Sequence, residues 1–149
     1  MDFQFCSLSF RKKGTSAIPA LARGGNRLIV DYPFHYPDSL PRCLELVSEY
    51  RVLYAGVFCP VEVLEQRERA RGDRKIGLAR YQASIVHVNS EYDVAVDTHQ
   101  LSAIQAAQNV ISALETVVSP TAFDRLSSRA TALPEQNEVR LDGTTHTFE

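Results

Sequence analysis

The densest chemical feature of the sequence is the run Arg67-Glu68-Arg69-Ala70-Arg71-Gly72-Asp73-Arg74-Lys75, followed by Arg80. At 3.6 residues per turn Arg67, Arg71 and Arg74 share one face, and three guanidinium forks on one face suit the oxygens of a multiply charged phosphate. A solvated helix held by pairs such as Glu65 with Arg69, each worth about 0.2–0.5 kcal/mol, would carry the same letters. Asp31 closes an apolar run, at the strand end where an open α/β sheet places its ligand crevice. A carboxylate there can hold magnesium through water, and a turn-starting or capping Asp would look the same. His87 follows an amphipathic stretch, with Tyr92-Asp93 and Asp97-Thr98 close behind. Its ordinary pKa of about 6.5 suits a general base, and a ring packed at a helix end is the alternative. His35, His99 and His146 have no spacing that suggests a metal site or a triad.

One absence is equally informative. A phosphate-binding loop requires a strand, then Gly-x-x-x-x-Gly-Lys-Ser/Thr, then a helix, so that backbone N–H groups cradle the phosphates. The 149 residues contain no such segment, and Lys13-Gly14-Thr15-Ser16 has similar letters in the wrong order.

The elements that must position these residues follow from period and punctuation. Residues 27–31 form a β-rich run between Gly24-Gly25 and Tyr32-Pro33, expected to be a buried parallel strand. Residues 40–50 place Leu40, Cys43, Leu44 and Val47 at helical spacing, and residues 51–59 are apolar almost throughout, as in a strand covered on both faces. Pro60 opens a helix to about Arg71, with Gly72 as its stop. A further helix is expected over 76–86 and a last strand over 92–97. Ser102 and Gln105 form a capping box, after which Ala103, Ala107, Val110, Ile111, Leu114 and Val118 make one apolar face. Residues 119–149 are polar, and a flexible tail is expected there, although Asp142-Gly143 is able to turn a small hairpin.

Strands alternating with helices indicate a mainly parallel α/β sheet. The length suits one domain, and a hydrophobic fraction of 44% permits a real core. Sixteen Lys and Arg against eighteen Asp and Glu leave a net charge of −2, so no global field favours nucleic acid. No apolar run approaches the roughly 18 residues of a membrane span. The first residues lack the order of a secretory signal, so a cytoplasmic location is expected. Cys6, Cys43 and Cys59 are too few and too scattered for a disulfide framework or zinc site and read as free thiols.

Residues 24–31, residues 57–74, Gly77-Leu78-Ala79-Arg80, Val86-His87 and 92–98 together resemble the chloramphenicol phosphotransferase-like family of P-loop kinases, over roughly 17–115. The Arg-Ala-Arg-Gly-Asp-Arg block is the most specific part of the likeness. The resemblance implies a three-layer parallel-sheet kinase-like fold over 17–118, here incomplete at the N-terminus and preceded by a non-matching segment, 1–16. It implies ATP and magnesium as cofactors and phosphoryl transfer to a small-molecule hydroxyl. Arg67, Arg71 and Arg74 would then be lid residues over the nucleotide phosphates, and Asp31 would lie near the magnesium. Without a phosphate loop the chain is expected to turn over little or not at all. The alternative is a non-catalytic binding module or truncated gene product that completes its sheet with its own copy or a complementing chain.

Overall fold

The computed structural model describes residues 4–6, 17–88 and 90–132. The Lys13–Ser16 letters, the hairpin option near Asp142 and His146 lie outside the described residues. In chain order the elements are β1 (Gln4–Cys6), α1 (Ala17–Arg23), β2 (Leu28–Val30), α2 (Ser39–Leu46), β3 (Ala55–Phe58), α3 (Val61–Arg71), α4 (Leu78–Ala83), β4 (Val94–Asp97), α5 (Ala103–Thr116) and α6 (Ala122–Ala132).

The strands are parallel, as alternation with helices requires, but they form two pairs. Gln4 lies opposite Leu28 in β1–β2, and Ala55 and Phe58 lie opposite Val94 and Asp97 in β3–β4. Among the described residues no ladder joins β2 to β3. This corrects the expectation of strands covered on both faces. Ile29 and Val30 of β2 are 48% and 37% exposed, and Val57 of β3 is 58% exposed. A parallel strand is buried on both faces only where helices cover both.

The main core gathers on helices instead. The spacing of Cys43, Leu44 and Val47 turns one face of α2 inward, where they meet Ile18 of α1 and Phe123 and Leu126 of α6. Leu28, Tyr32, Phe34, Leu40 and Tyr54 pack around this cluster. Burial pushes the Cys43 thiol up to about 11, so it behaves as a small apolar residue. Cys43 and Cys59 are both free thiols.

The expectation of a flexible polar stretch from 119 onward fails over α6. That helix holds few large apolar groups, but Ala122, Phe123 and Leu126 lie on its inner side and are buried. Its start is a capping box. The Thr121 amide donates to Asp124 Oδ2 at 2.7 Å, and the Asp124 amide donates to Thr121 Oγ1 at 3.2 Å. The helix is tied to the loop before β4 by Asp93, whose two carboxylate oxygens accept from the amides of Tyr54 at 2.8 Å and Ala122 at 2.6 Å. Glu91, two residues before it, pairs with Arg125 and, at 2.8 Å, with Arg129.

The capping box at the start of α5 is present, with the Gln105 amide donating to Ser102 Oγ and the Ser102 amide donating to Gln105 Oε1. The expected apolar face is not the buried one. Ala106 and Ala113 are buried on the helix that packs on β4, while Ile111 and Val118 are 54% and 78% exposed. Small side chains allow the helix to lie close to the strand; of the expected face Val110 and Leu114 are half-buried, and Ala103, Ala107, Ile111 and Val118 are exposed. At the other end of α5, Arg51 donates to the carbonyls of Leu114 at 3.4 Å and Val117 at 2.5 Å, a cation at the negative end of the helix.

Candidate anion-binding site

The site grows from the C-terminal end of β3. Phe58 ends the strand, Pro60 caps the next helix, and α3 runs to Arg71. Gly72 then adopts the left-handed conformation at φ 68°, which only glycine reaches without strain, and the helix stops there as the sequence indicates. Arg74 therefore lies beyond the helix, so the shared face expected for Arg67, Arg71 and Arg74 extends over the first two alone.

Each arginine has a distinct setting. Arg67 reaches across to the residue following β4, donating from Nη1 to Thr98 Oγ1 at 3.1 Å and from Nη2 to the Thr98 carbonyl at 2.8 Å. Thr98 in turn donates its amide to the Phe58 carbonyl at 2.9 Å, so Arg67 is fixed to the C-terminal ends of both strands. Arg71 pairs with Asp73 at 3.2 Å, with both side chains more than half exposed. Arg74 and Lys75 lie exposed in the turn between the helices. Among the described residues neither is in an ion pair. The stretch 67–75 carries five cations and two acids, Glu68 and Asp73, and so has a local positive excess that the whole chain lacks.

The second helix of the hairpin is shorter than the 76–86 expected: Gly77 is also left-handed, at φ 93°, so α4 starts only at Leu78, and it ends at Ala83. Two carboxylates of α3 hold it. Arg80 Nε donates to Glu65 Oε1 at 2.6 Å, and that guanidinium keeps the Glu65 carboxyl below the ordinary carboxylate range. Glu68, only 5% exposed, accepts from the Gly77 amide through Oε2 and from the Ala79 amide through Oε1, both at 2.8 Å. Sequence reasoning left Glu68 among the solvated charges. The available signal was its place one turn before the Gly72 stop, where a carboxylate faces the returning chain.

Asp31 stands apart. It is the exposed residue directly after β2, on the other strand pair. Among the described residues no group of three or more His, Cys, Asp or Glu side chains is placed to hold a metal ion.

His87 is packed beneath the end of β3. Its ring stacks on Phe58 with centroids 4.1 Å apart and planes 20° apart, and its Nδ1 lies 2.7 Å from the Tyr92 hydroxyl. Burial lowers its pKa from the ordinary value by disfavouring the cation. Tyr92 lies across Gly56 of β3, where an added Cβ would come within 2.7 Å of both the Tyr92 and Phe58 rings. Tyr54 packs at a tilt against Tyr92, with centroids 4.7 Å apart, and burial raises its hydroxyl pKa. This aromatic group gives the strand end a firm floor.

The molecule is thus a mixed α/β protein in which an arginine-rich helical hairpin rises from the C-terminal ends of a parallel strand pair. The family model of chloramphenicol phosphotransferase-like proteins matches residues 8–115, and the chain belongs to that family. The match opens at residue 8, within the segment expected not to match, and closes before α6 begins. The activity attached to the family is kinase-like phosphoryl transfer. No curated protein matches the chain. No helix among the described residues is long and apolar enough to cross a membrane.

Proposed function

We propose that the chain serves ATP-dependent phosphoryl transfer to a small-molecule hydroxyl, and that its α3–α4 hairpin is the part that holds nucleotide phosphates. The observation that carries this reading is the pairing of Arg67 with Thr98, which anchors a cation-rich hairpin at the strand ends where α/β sheets bind ligands. Phosphoryl transfer is served mainly by positioning and by cationic stabilisation of the oxygens. Arg74 and Lys75 are exposed for that task. Arg71 would join them by exchanging Asp73 for phosphate, and Arg67 would keep the hairpin in register with the strands. Asp31, exposed after β2 on the other strand pair, would supply at most one carboxylate toward a hydrated magnesium ion, which is usually held by one or two carboxylates together with substrate phosphates. Mg-ATP, when bound, supplies the transferable phosphoryl group.

The same reading gives the 149-residue chain very low turnover, because arginines alone do not replace the positioning of a phosphate loop. Calorimetric titration with Mg-ATP tests the binding half. Saturable binding that weakens in Arg71→Ala supports the hairpin as the nucleotide clamp, and no binding by a folded chain overturns it. Multiple turnovers with chloramphenicol or another hydroxyl acceptor in a radiometric assay would overturn the low-turnover half.

A second reading is favoured by the unpaired edges. β2 and β3 each have one ladder partner among the described residues, and Ile29, Val30 and Val57 are exposed beside those edges. A strand from a second copy or a complementing chain, seated between the pairs, would join them into the single sheet of a three-layer kinase-like fold. Light scattering on a size-exclusion column separates the cases. A compact monomer that melts cooperatively argues against a partner strand.

A further inference from the structure

We propose that Glu68 is the positioning residue that sets the turn 72–77 as a polyphosphate clamp, an inference that rests on the phosphate-binding reading of the hairpin. Glu68 holds the turn at both ends. Its backbone carbonyl accepts from the Gly72 amide at 3.4 Å, and its carboxylate accepts from the Gly77 amide at 2.8 Å, with the Ala79 amide on the other oxygen. The two glycines at these ends, at φ 68° and 93°, allow the chain to leave α3 and enter α4 within a tight loop.

A buried carboxylate is costly unless its oxygens are satisfied, and the usual solution is a cation. In this hairpin backbone N–H groups do the work. None of the five cations of 67–75 is spent on Glu68, so the most buried charge of the hairpin is compensated while Arg74 and Lys75 remain exposed on the loop it closes. A salt bridge to Glu68 would have stabilised the same hairpin and removed a guanidinium from ligand reach. The arrangement suits a loop that must be ordered before an anion arrives, since a preordered loop spends less of the binding energy on its own ordering.

The experiment compares the 149-residue chain with Glu68→Ala, Glu68→Gln and Arg74→Ala, using inorganic tripolyphosphate as the probe in calorimetry and hydrogen exchange on the unliganded proteins. Wild type is expected to bind saturably, and Glu68→Ala is expected to weaken binding about tenfold while the α2 and α5 amides keep their protection. Exchange at Gly77 and Ala79 should accelerate in the same variant. Glu68→Gln, which keeps one acceptor oxygen, should fall between wild type and Glu68→Ala in both readouts.

Unchanged binding in Glu68→Ala, together with weakened binding in Arg74→Ala, would overturn the positioning role and leave the clamp reading intact. Absence of tripolyphosphate binding by the wild type would overturn the clamp reading and the positioning role with it. Slow, Glu68-dependent exchange at Gly77 in that case would show the clasp to be architecture alone. Loss of α2 protection in both Glu68 variants would likewise overturn the proposal, since Glu68 would then act on the whole fold.

Discussion

The cluster formed by α1, α2 and α6 and the hairpin formed by α3 and α4 are built on opposite principles. In the first, six buried apolar side chains from three helices interlock, and polar contacts serve mainly at the ends. In the second, Glu68 is the one buried residue of α3, and the two helices are joined by carboxylates that reach backbone amides and Arg80. Apolar packing is non-directional and scales with area, whereas a carboxylate–amide contact fixes geometry over a few ångströms. The difference separates a part of the molecule held by apolar packing from a part whose geometry is set by directed polar contacts, the part to which the proposed function assigns the charged ligand.

Breaking the first region should have the largest effect. Phe123→Ala is expected to cost about 3–5 kcal/mol, because the ring is 4% exposed and packs against Tyr54 and the α2 face. A urea unfolding midpoint measures this. A change below 1 kcal/mol would show that α6 rests on the core without being part of it. Asp93 comes next, since it joins the strand region to α6. Asp93→Ala removes the acceptor for two backbone amides and should cost about 2 kcal/mol. An unchanged midpoint would mean that the two parts are held together by packing alone.

His87 gives a smaller effect with a definite sign. Its folded pKa lies below the unfolded value, so the unfolded chain binds the proton more readily, and stability falls as pH drops through about 6.5 toward the folded pKa. His87→Gln should flatten that part of the stability profile. An identical slope in the variant would assign it to another group. The smallest effect belongs to Arg74. Arg74→Ala should shift stability within about 0.5 kcal/mol while weakening Mg-ATP binding, which would sharpen the division between the regions. A large loss of stability would erase it.

Much of this was legible in the residues. Ser102 with Gln105, the stop at Gly72, the helical spacing of α2 and the β-rich runs of β3 and β4 are local signals whose physical causes lie within a few positions. What stayed hidden depends on distant partners. β1 is three residues long with no period of its own, and its pairing with β2 defines it. The α1 helix gave no signal that was read, and α6 was obscured by its polar composition, although Thr121 and Asp124 spell a capping box. The stripe expected on α5 is rotated from the buried side, because a run of alanines leaves several apolar faces open and proximity to β4 selects Ala106 and Ala113. Of the site, the basic block was visible, but the helical face failed at Gly72, and Glu68 is defined only by a chain that returns nine residues later.

Gly56 has a consequence beyond its own strand. The room it leaves is filled by the Tyr92 ring, which in turn carries the hydrogen bond to His87 beneath the strand end. Positions 56, 58 and 92 therefore behave as a single mutational unit, in which bulk added at 56 must be withdrawn at both aromatic positions. An alanine at 56 would press on both rings, and a smaller residue at 92 would relieve only one of the two contacts while leaving the histidine without its hydroxyl partner.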